Sequence, residues 1–209
     1  MLYFWHNIQF LADLNDYVML NVEGRSVLDV GAFVGDSAIY FALRGARRVV
    51  AVEPSPWAFQ AAKKNVEVNG LSDRVTLLNC AVGRDEGKAL RLAESETNTV
   101  FSAERADGSG SYEVPTCTID SLIEKYGPFE VLKVDCEGCE YGSIPYSKRL
   151  GELREVLIEY HDGYEPLAKK LGEEGFEVMY SGHYSGGRLA HKPFDPKLGY
   201  IYAVKKRQG

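Results

Sequence analysis

SVLDVGAFVGDS, residues 26–37, and VVAVEP, residues 49–54, decide the fold of this chain. Each stretch begins as a short run of strand-forming apolar residues, and the first continues through a glycine turn into a helix. Glu53 ends the second strand, 22 positions after Gly31, close to the offset at which an acid reaches the hydroxyls of a ribose. Open α/β sheets build nucleotide-binding crevices from these parts. The sequence therefore predicts a nucleoside site at these strand ends.

The glycine spacing argues against a dinucleotide. A pyrophosphate cradle has the pattern G-x-G-x-x-G, and from Gly31 that pattern places Phe33 and Asp36 where glycines belong. Phe33 would crowd a diphosphate and Asp36 would repel it. S-adenosylmethionine has ribose and adenine but no phosphate; Asp29 and Asp36 would face its cationic groups, and N–H groups of the turn would take its carboxylate. We therefore expect S-adenosylmethionine as the cofactor. The alternative is that Gly31 and Gly35 only form a tight strand-to-helix turn, which leaves the position of Glu53 unexplained.

Length and patterning predict one α/β domain. The 209 residues carry a net charge of −6 and 45% apolar residues, and alternating strand and helix signals indicate a mostly parallel sheet covered on both faces. The seven predicted strands are 25–30, 48–52, 75–80, 131–134, 153–159, 176–181 and 199–204. The predicted helices are 36–44, 56–69, a short one after Thr118, and 164–174. The expected fold class is a Rossmann-like, seven-stranded α/β sheet.

Two segments depart from this alternation. Residues 1–24 place Phe4, Ile8, Leu11, Leu14 and Val18 near helical spacing, which predicts an N-terminal helical segment packed on the domain of residues 25–209. Residues 84–117 are polar and contain strand-like pieces at 88–92 and 111–117, which predicts a hairpin or loop excursion. No apolar run approaches the roughly 18 residues of a membrane span, and we expect a soluble, cytoplasmic protein without a membrane partner.

The four cysteines leave several interpretations open. Cys136 and Cys139 have the C-x-x-C spacing of zinc and redox sites. Cys80 and Cys117 are isolated in the sequence, so a second ligand pair for zinc is missing. Small buried residues are the favoured interpretation of the C-x-x-C pair, with a disulfide or a metal site as alternatives.

Five blocks carry a resemblance to a known family. They are DVGAFVGD (29–36), VEPS (52–55), NCAVG (79–83), TIDSL (118–122) and LKVDCEGCE (132–140). Over roughly residues 25–180 the chain resembles the FkbM family of class I S-adenosylmethionine-dependent methyltransferases. The family usually has asparagine at the position of Phe33 and aliphatic or small residues at those of Cys136 and Cys139.

The resemblance implies both a donor site and a reaction. The donor would contact the turn at Gly31, Ala32, Phe33 and Gly35, the ribose acid Glu53 with Pro54, and the adenine position at Cys80 and Ala81. Family members are similar to O-methyltransferases of sugar or natural-product hydroxyls, which implies a small-molecule or glycan acceptor. The acidic net charge disfavours nucleic acid, and RNA methylation remains an alternative beside a non-catalytic binding module. The oligomeric state is left open.

Acidic residues and a histidine follow the fourth and fifth predicted strands. Asp135 is our first candidate for the general base that takes a proton from an acceptor hydroxyl, and Glu137 is the second. His161 is a further candidate because imidazole titrates near neutral pH. The alternative for Asp135 is that it binds and positions the cofactor, and for Glu137 that it caps the next helix; His161 would then be a hydrogen-bonded structural residue. A divalent metal on Asp135, Glu137, Glu159 and His161 is a further alternative, although no spacing requires one. A glycine-rich loop at 181–188, with His183, Tyr184 and Arg188, is a candidate for acceptor recognition.

Overall fold

The computed structural model describes residues 14–93, 111–182, 185 and 187–206. Seven strands form its main sheet: β1 (Ser26–Val30), β2 (Arg48–Val52), β3 (Val75–Leu78), β7 (Val131–Val134), β8 (Glu155–Tyr160), β9 (Phe176–Ser181) and β10 (Gly199–Lys205). Their order is β3-β2-β1-β7-β8-β10-β9. The five neighbouring strands β3, β2, β1, β7 and β8 are parallel to one another. Strand β10 runs antiparallel to β8 and β9. This confirms the predicted fold class.

The strand order reverses between β1 and β7. The chain steps outward from β1 through β2 to β3, and later returns to the other side of β1 with β7 and β8. Val30 pairs with Val52 on one side and with Val134 on the other, so the three strands end at one level. Ligands of open α/β sheets bind at such a switch point, outside the carboxyl ends of the strands.

Helices cover both faces of the sheet, as predicted. They are α1 (Asp36–Leu43), α2 (Pro56–Val68), α3 (Ile119–Tyr126), the short α4 (Cys139–Ser143) and α5 (Glu165–Glu173). Ser55 caps α2 by accepting a hydrogen bond from the N–H of Ala58, with Pro56 at the first helical position. Thr118 and Ser121 form a reciprocal capping box at the start of α3.

Side chains of neighbouring strand residues enter opposite layers of the core. Leu28 and Leu132 pack in the layer that contains α3 and α5. Val27 and Val131 pack in the layer that contains α1. Every residue of β1, β7 and β8 is buried, as expected for central parallel strands. The strand ends that carry the candidate site therefore rest on a core that is packed on both sides.

A second, three-stranded sheet lies beside the switch point. Strand β6 (Ser111–Cys117) pairs in parallel with β4 (Ala81–Val82) and antiparallel with β5 (Ala89–Ala93). The predicted hairpin is confirmed at these strands, while residues 94–110 of the predicted excursion lie outside the described residues.

The cysteine interpretation that we favoured is wrong in this structure. Cys136 and Cys139 form a disulfide with Cα atoms 5.5 Å apart, and Cys80 and Cys117 form a second one with Cα atoms 6.2 Å apart. The second pair is 37 residues apart in sequence, and only the packing of β6 beside β4 brings its two thiols together. It links the end of β6 to the chain between β3 and β4.

Some predicted boundaries also need correction. Strand β3 ends at Leu78, so Cys80 lies beyond it rather than inside it. The strand predicted from residue 153 begins at Glu155, after a 3-10 turn at Leu150–Glu152. The described part of the N-terminal segment, residues 14–24, contains a 3-10 helix at Leu14–Tyr17 and continues in turns rather than in a longer helix.

Two further expectations concern the N-terminal segment and membranes. Val18, predicted on the apolar face of the N-terminal segment, lies after the end of the 3-10 helix and is 44% exposed. Phe4, Ile8 and Leu11 lie outside the described residues. In the ranges that the structure covers, no helix combines the length and apolarity needed to cross a bilayer.

Candidate active site

The glycine turn after β1 forms the base of the candidate site. Gly31 has φ 79°, and a Cβ placed on it would lie 1.7 Å from the carbonyl oxygen of Asp135. Only glycine fits this close approach of the ends of β1 and β7. Gly35 has φ 84° and precedes α1. Phe33 has φ 44°, a left-handed conformation that is rare outside glycine. The two glycines suit the left-handed backbone of this turn. The conformation of Phe33 is not one that its side chain favours, so the contacts of the turn with the surrounding structure hold it.

Four N–H groups of this turn donate within the protein, so these four do not take a ligand carboxylate as we expected. The N–H groups of Gly31 and Ala32 both donate to the carbonyl of Val52, at 3.0 Å each. The N–H of Phe33 donates to Glu53 Oε2 at 2.8 Å. Gly35 donates to the carbonyl of Ala32 at 2.7 Å. These bonds join the turn to the end of β2.

The carboxylate of Glu53 connects the glycine turn to the segment that follows β2. Its Oε1 accepts from the N–H of Ser55 at 2.8 Å, while Oε2 accepts from Phe33. Burial raises the pKa of Glu53 to about 7, and the two backbone donors oppose the shift. Asn79 donates to the carbonyls of Glu53 and Pro54, at 2.8 and 3.0 Å. The residue predicted to bind ribose thus lies at the turn, although it is only 2% exposed.

A cavity of about 290 Å³ opens beside the turn. It brings together four of the predicted donor residues, Gly31, Pro54, Cys80 and Ala81, with the catalytic candidate Glu137. We call it the switch-point cavity; its other lining residues are Val30, Val52, Val82, Leu90, Leu92, Cys136, Gly138 and Cys139. Leu90 and Leu92 come from β5, a contribution that the sequence reasoning missed because that hairpin is distant in the chain.

Lys133 lies below the turn and is almost fully buried. Its Nζ donates to the carbonyl of Gly31 at 2.7 Å and lies 3.2 Å from Asp29 Oδ1 and 3.8 Å from Asp135 Oδ2. Burial lowers the pKa of Lys133, but the charges of Asp29, Asp135 and Asp36 outweigh burial and raise it. Lys133 is therefore a buried ammonium that joins the turn to the end of β7.

The two acids of the glycine turn differ in their surroundings. Asp29 is fully buried and accepts a hydrogen bond from Ser37 at 2.6 Å, so the cation that it faces is Lys133 of the protein itself. Asp36 is 8% exposed at the start of α1. Burial raises the pKa of Asp36 to about 7, against the opposing charge of Lys133.

Asp135 and Glu159 form a pair of hydrogen-bonded carboxyl groups at the ends of β7 and β8. Burial alone would raise the pKa of Asp135, but Lys133, Glu159 and the hydroxyl of Tyr17 hold it below its usual value. The Tyr17 hydroxyl donates to Asp135 Oδ2 at 2.9 Å. Burial and the charge of Asp135 raise the pKa of Glu159 far above its usual value. At neutral pH, Asp135 is the ionised member of the pair and Glu159 carries the proton.

His161 lies among carboxylates on the same rim. Its Nδ1 is 2.9 Å from Glu140 Oε1, and its Nε2 is 3.3 Å from Glu137 Oε2 and 3.8 Å from Glu159 Oε1. Burial lowers the pKa of His161, but these acids outweigh burial and raise it to about 9. The imidazole is therefore protonated at neutral pH, a state in which it cannot accept a proton.

This shift predicts a pH dependence of stability. The folded-state pKa of His161, about 9, exceeds the value of about 6.5 in an unfolded chain. Its contribution is therefore complete below pH 6.5 and is lost as the pH rises through 9. Between pH 6 and 9.5 we expect the free energy of unfolding of the parent to fall by about 1–3 kcal/mol more than that of His161→Gln. Urea denaturation at the two pH values measures this difference. Equal losses in the two proteins would contradict the ion pairs around His161.

Among the residues that the structure describes, two groups of side chains have the spacing of metal ligands. Asp135, Glu159 and His161 each offer an atom within 4.8 Å of the others, as do Cys136, Cys139 and Glu140. Metal ligands are deprotonated, whereas His161 and Glu159 hold protons at neutral pH and the two sulfurs are joined to each other. A metal at the first group would have to displace these protons, and one at the second would require the Cys136–Cys139 disulfide to open.

The predicted acceptor loop is only partly described. Arg188 is exposed, and His183 and Tyr184 lie outside the described residues. The sequence reasoning gave no role to Tyr17, because its partner Asp135 is 118 positions away. Lys133 carried a weak signal: a charged residue inside an otherwise apolar strand requires a buried partner.

Known proteins share this architecture. One solved structure is the magnesium protoporphyrin IX methyltransferase ChlM of Synechocystis PCC 6803 with bound SAM. The match covers 89% of this chain and 72% of the ChlM chain, at 16% sequence identity and a TM-score of 0.51. The methyltransferase FkbM of Methylobacillus flagellatus KT matches 89% of this chain and 45% of its own, at 16% identity and a TM-score of 0.58. The strand order and these neighbours define a class I methyltransferase fold.

The family follows from the sequence match. A family model described as the methyltransferase FkbM domain matches residues 29–177, and the chain belongs to this family. A probable protein arginine N-methyltransferase 6 of Arabidopsis thaliana is 48% identical over 58 residues, 28% of this chain and 13% of the relative. A ribosomal protein L11 methyltransferase of Enterobacter sp. (strain 638) is 38% identical over 58 residues, 28% of this chain and 20% of the relative. The chain thus matches only a small part of these curated relatives.

Proposed function

We propose that this methyltransferase uses S-adenosylmethionine as its donor and holds it at the switch-point cavity. The apolar lining of the cavity, including Pro54, Ala81 and Leu92, suits the flat faces of an adenine ring. Glu53 lies beside that lining and would accept hydrogen bonds from the ribose hydroxyls. The donor supplies an electrophilic methyl group on a sulfonium sulfur.

The carboxylate of Glu53 retains the capacity for this contact. Each of its oxygens accepts one backbone N–H, and a carboxylate oxygen has two lone pairs. The remaining lone pairs can accept from a ribose diol when the group is ionised. Asp36, at the start of α1, would face the ammonium of the donor. Asp29 would act indirectly, by holding Lys133 below the turn.

We infer that the acceptor is a hydroxyl of a small molecule or glycan. The observation that carries this inference is the position of the Asp135 carboxylate, which is 21% exposed at the end of β7 and accepts a hydrogen bond from Tyr17. A hydroxyl must lose its proton as its oxygen is methylated, and Asp135 would accept that proton. Tyr17 and Glu159 donate to the carboxylate and fix its orientation. A base of low pKa is weak, so holding the two reactants in line supplies most of the rate.

A transfer assay tests this proposal. The purified chain is incubated with methyl-labelled S-adenosylmethionine and four acceptor classes: reducing sugars, phenolic or polyol natural products, total RNA and an arginine-rich peptide. We expect label in an ether product of one of the first two classes. Label in RNA or peptide alone would overturn the hydroxyl acceptor while supporting the donor. Binding of the donor without transfer to any class would favour a non-catalytic binding module.

Asp135→Asn tests the base once an acceptor is in hand. Asparagine keeps the shape and can still accept from Tyr17, but it cannot take a proton. We expect turnover to fall about 100-fold, at the low end of general-base effects because the pKa of Asp135 is low. Glu137→Gln is the matched control and should stay within about threefold of the parent. If Asp135→Asn turned over as fast as the parent and Glu137→Gln lost most of its turnover, Glu137 would be the general base instead.

A further inference from the structure

The Cys136–Cys139 disulfide closes a turn that forms one wall of the switch-point cavity. Both cysteines line the cavity, and so do the two residues between them. The turn begins directly after Asp135, and α4 begins at Cys139. A covalent bond thus spans the short segment between the candidate base and the next helix.

The residues inside this turn have backbone conformations that chains rarely adopt. Glu137 has φ 55° and Gly138 has φ 113°, two consecutive left-handed positions. A non-glycine residue in this region is strained and persists only where its surroundings impose it. Here the disulfide holds both ends of the strained pair, and the N–H of Gly138 donates to Glu140 Oε2 at 2.9 Å.

The position of Glu137 depends on this turn. Its carboxylate lies 3.3 Å from His161 Nε2, on the other side of the imidazole from Glu140. With the disulfide open, nothing covalent would keep Glu137 in the left-handed region. Relaxation of its backbone would move both the cavity wall and the carboxylate.

We propose that Cys136–Cys139 is a redox modification site that controls binding at the switch-point cavity, with the disulfide form competent to bind the donor and the dithiol form impaired. This proposal rests on the proposed function, because it takes the occupant of the cavity to be S-adenosylmethionine. The reductant is a dithiol. Its thiolate attacks one cysteine sulfur, the S–S bond breaks, and its second thiol then displaces the remaining protein sulfur. Two electrons and two protons pass to the protein, leaving two cysteine thiols and an oxidised dithiol.

Accessibility distinguishes this disulfide from the other one. Cys136 and Cys139 are both partly exposed, and Gly138 between them is exposed. In the second disulfide Cys80 is partly exposed, but Cys117 is only 8% exposed and packs in the core. A dithiol in solution can therefore reach the first pair more readily than the second.

Calorimetric titration with S-adenosylhomocysteine tests the proposal. The parent is titrated oxidised, after treatment with dithiothreitol, and after reoxidation, with free thiols counted by mass spectrometry in each sample. We expect reduction of Cys136–Cys139 to weaken binding by about tenfold or more, the factor that matches release of one strained residue. Reoxidation should restore the affinity.

Two variants locate the effect. Cys136→Ser with Cys139→Ser should bind like the reduced parent under both conditions. Cys117→Ser opens the other disulfide at a residue outside the cavity lining, and it should keep the ratio between the affinities of the oxidised and reduced samples. Thermal melts of each variant verify that it is folded. Equal affinity of the oxidised and reduced parent would overturn the redox proposal and leave the donor site standing. An absence of binding in both states would overturn the proposed function, and the redox proposal with it.

Discussion

Gly31→Ala is expected to destabilise the domain by about 4 kcal/mol or more, the range of the most damaging single substitutions. The new Cβ would lie 1.7 Å from the carbonyl oxygen of Asp135, and φ 79° is unfavourable for alanine. The atom that it meets belongs to the backbone, so no rotamer change relieves the overlap. The ends of β1 and β7 would have to separate, which would disrupt the centre of the parallel sheet.

Gly70→Ala is the matched control for this experiment. Gly70 has a similar φ of 66°, and nothing lies within 4 Å of a Cβ placed on it. It therefore measures the backbone strain alone, which we expect to cost about 1–2 kcal/mol. Urea denaturation of both variants gives the difference. If Gly31→Ala is no less stable than Gly70→Ala, the close approach of the turn to Asp135 is wrong.

Lys133→Met should cost about 3–5 kcal/mol, the penalty for removing one partner of a buried ion pair. The side chain of Asp29 is completely buried, and Lys133 Nζ at 3.2 Å is its neighbouring cation. The substitution leaves that carboxylate without a compensating charge and removes the hydrogen bond to the carbonyl of Gly31. Urea denaturation at pH 7 measures the loss.

A second substitution separates the ion pair from packing. Adding Asp29→Asn to Lys133→Met removes the uncompensated charge, and Asn can still accept from Ser37. We expect the double variant to recover at least about 1 kcal/mol, because contacting residues couple on this scale. A double variant that is less stable than Lys133→Met would show that Asp29 does not depend on Lys133.

Local patterns predicted the parts of the fold that local physics determines. β1 and β2 are short strands made mainly of apolar residues, and Gly31 follows the first of them. Ser55-Pro56 is a helix start with a known mechanism. These features predicted that β1 and β2 are neighbouring parallel strands. They also predicted that Glu53 lies at the turn, because the carboxyl ends of neighbouring parallel strands lie at one edge of the sheet.

The rest of the site depends on contacts between distant parts of the chain. Tyr17 reaches Asp135 across 118 positions, and Cys80 meets Cys117 across 37. No periodicity or spacing encodes such pairings. The same reason explains the misassigned N–H groups of the turn: their acceptors, Val52 and Glu53, are known only once β2 lies beside β1. The state of His161 likewise follows from three acids on two different segments.

The donor site is the central claim, and titration calorimetry tests it most directly. S-adenosylhomocysteine is titrated into the oxidised parent and into Glu53→Gln at pH 8, above the pKa of Glu53, which is about 7, with NAD as the control ligand. We predict binding to the parent, a loss of about 1.5–3 kcal/mol in the variant as charge-assisted hydrogen bonds to ribose are weakened, and no binding of NAD. Failure of the parent to bind, in protein verified to be free of co-purified ligand, or equal affinity of the two proteins, would contradict the assignment of Glu53 and the switch-point cavity to the donor.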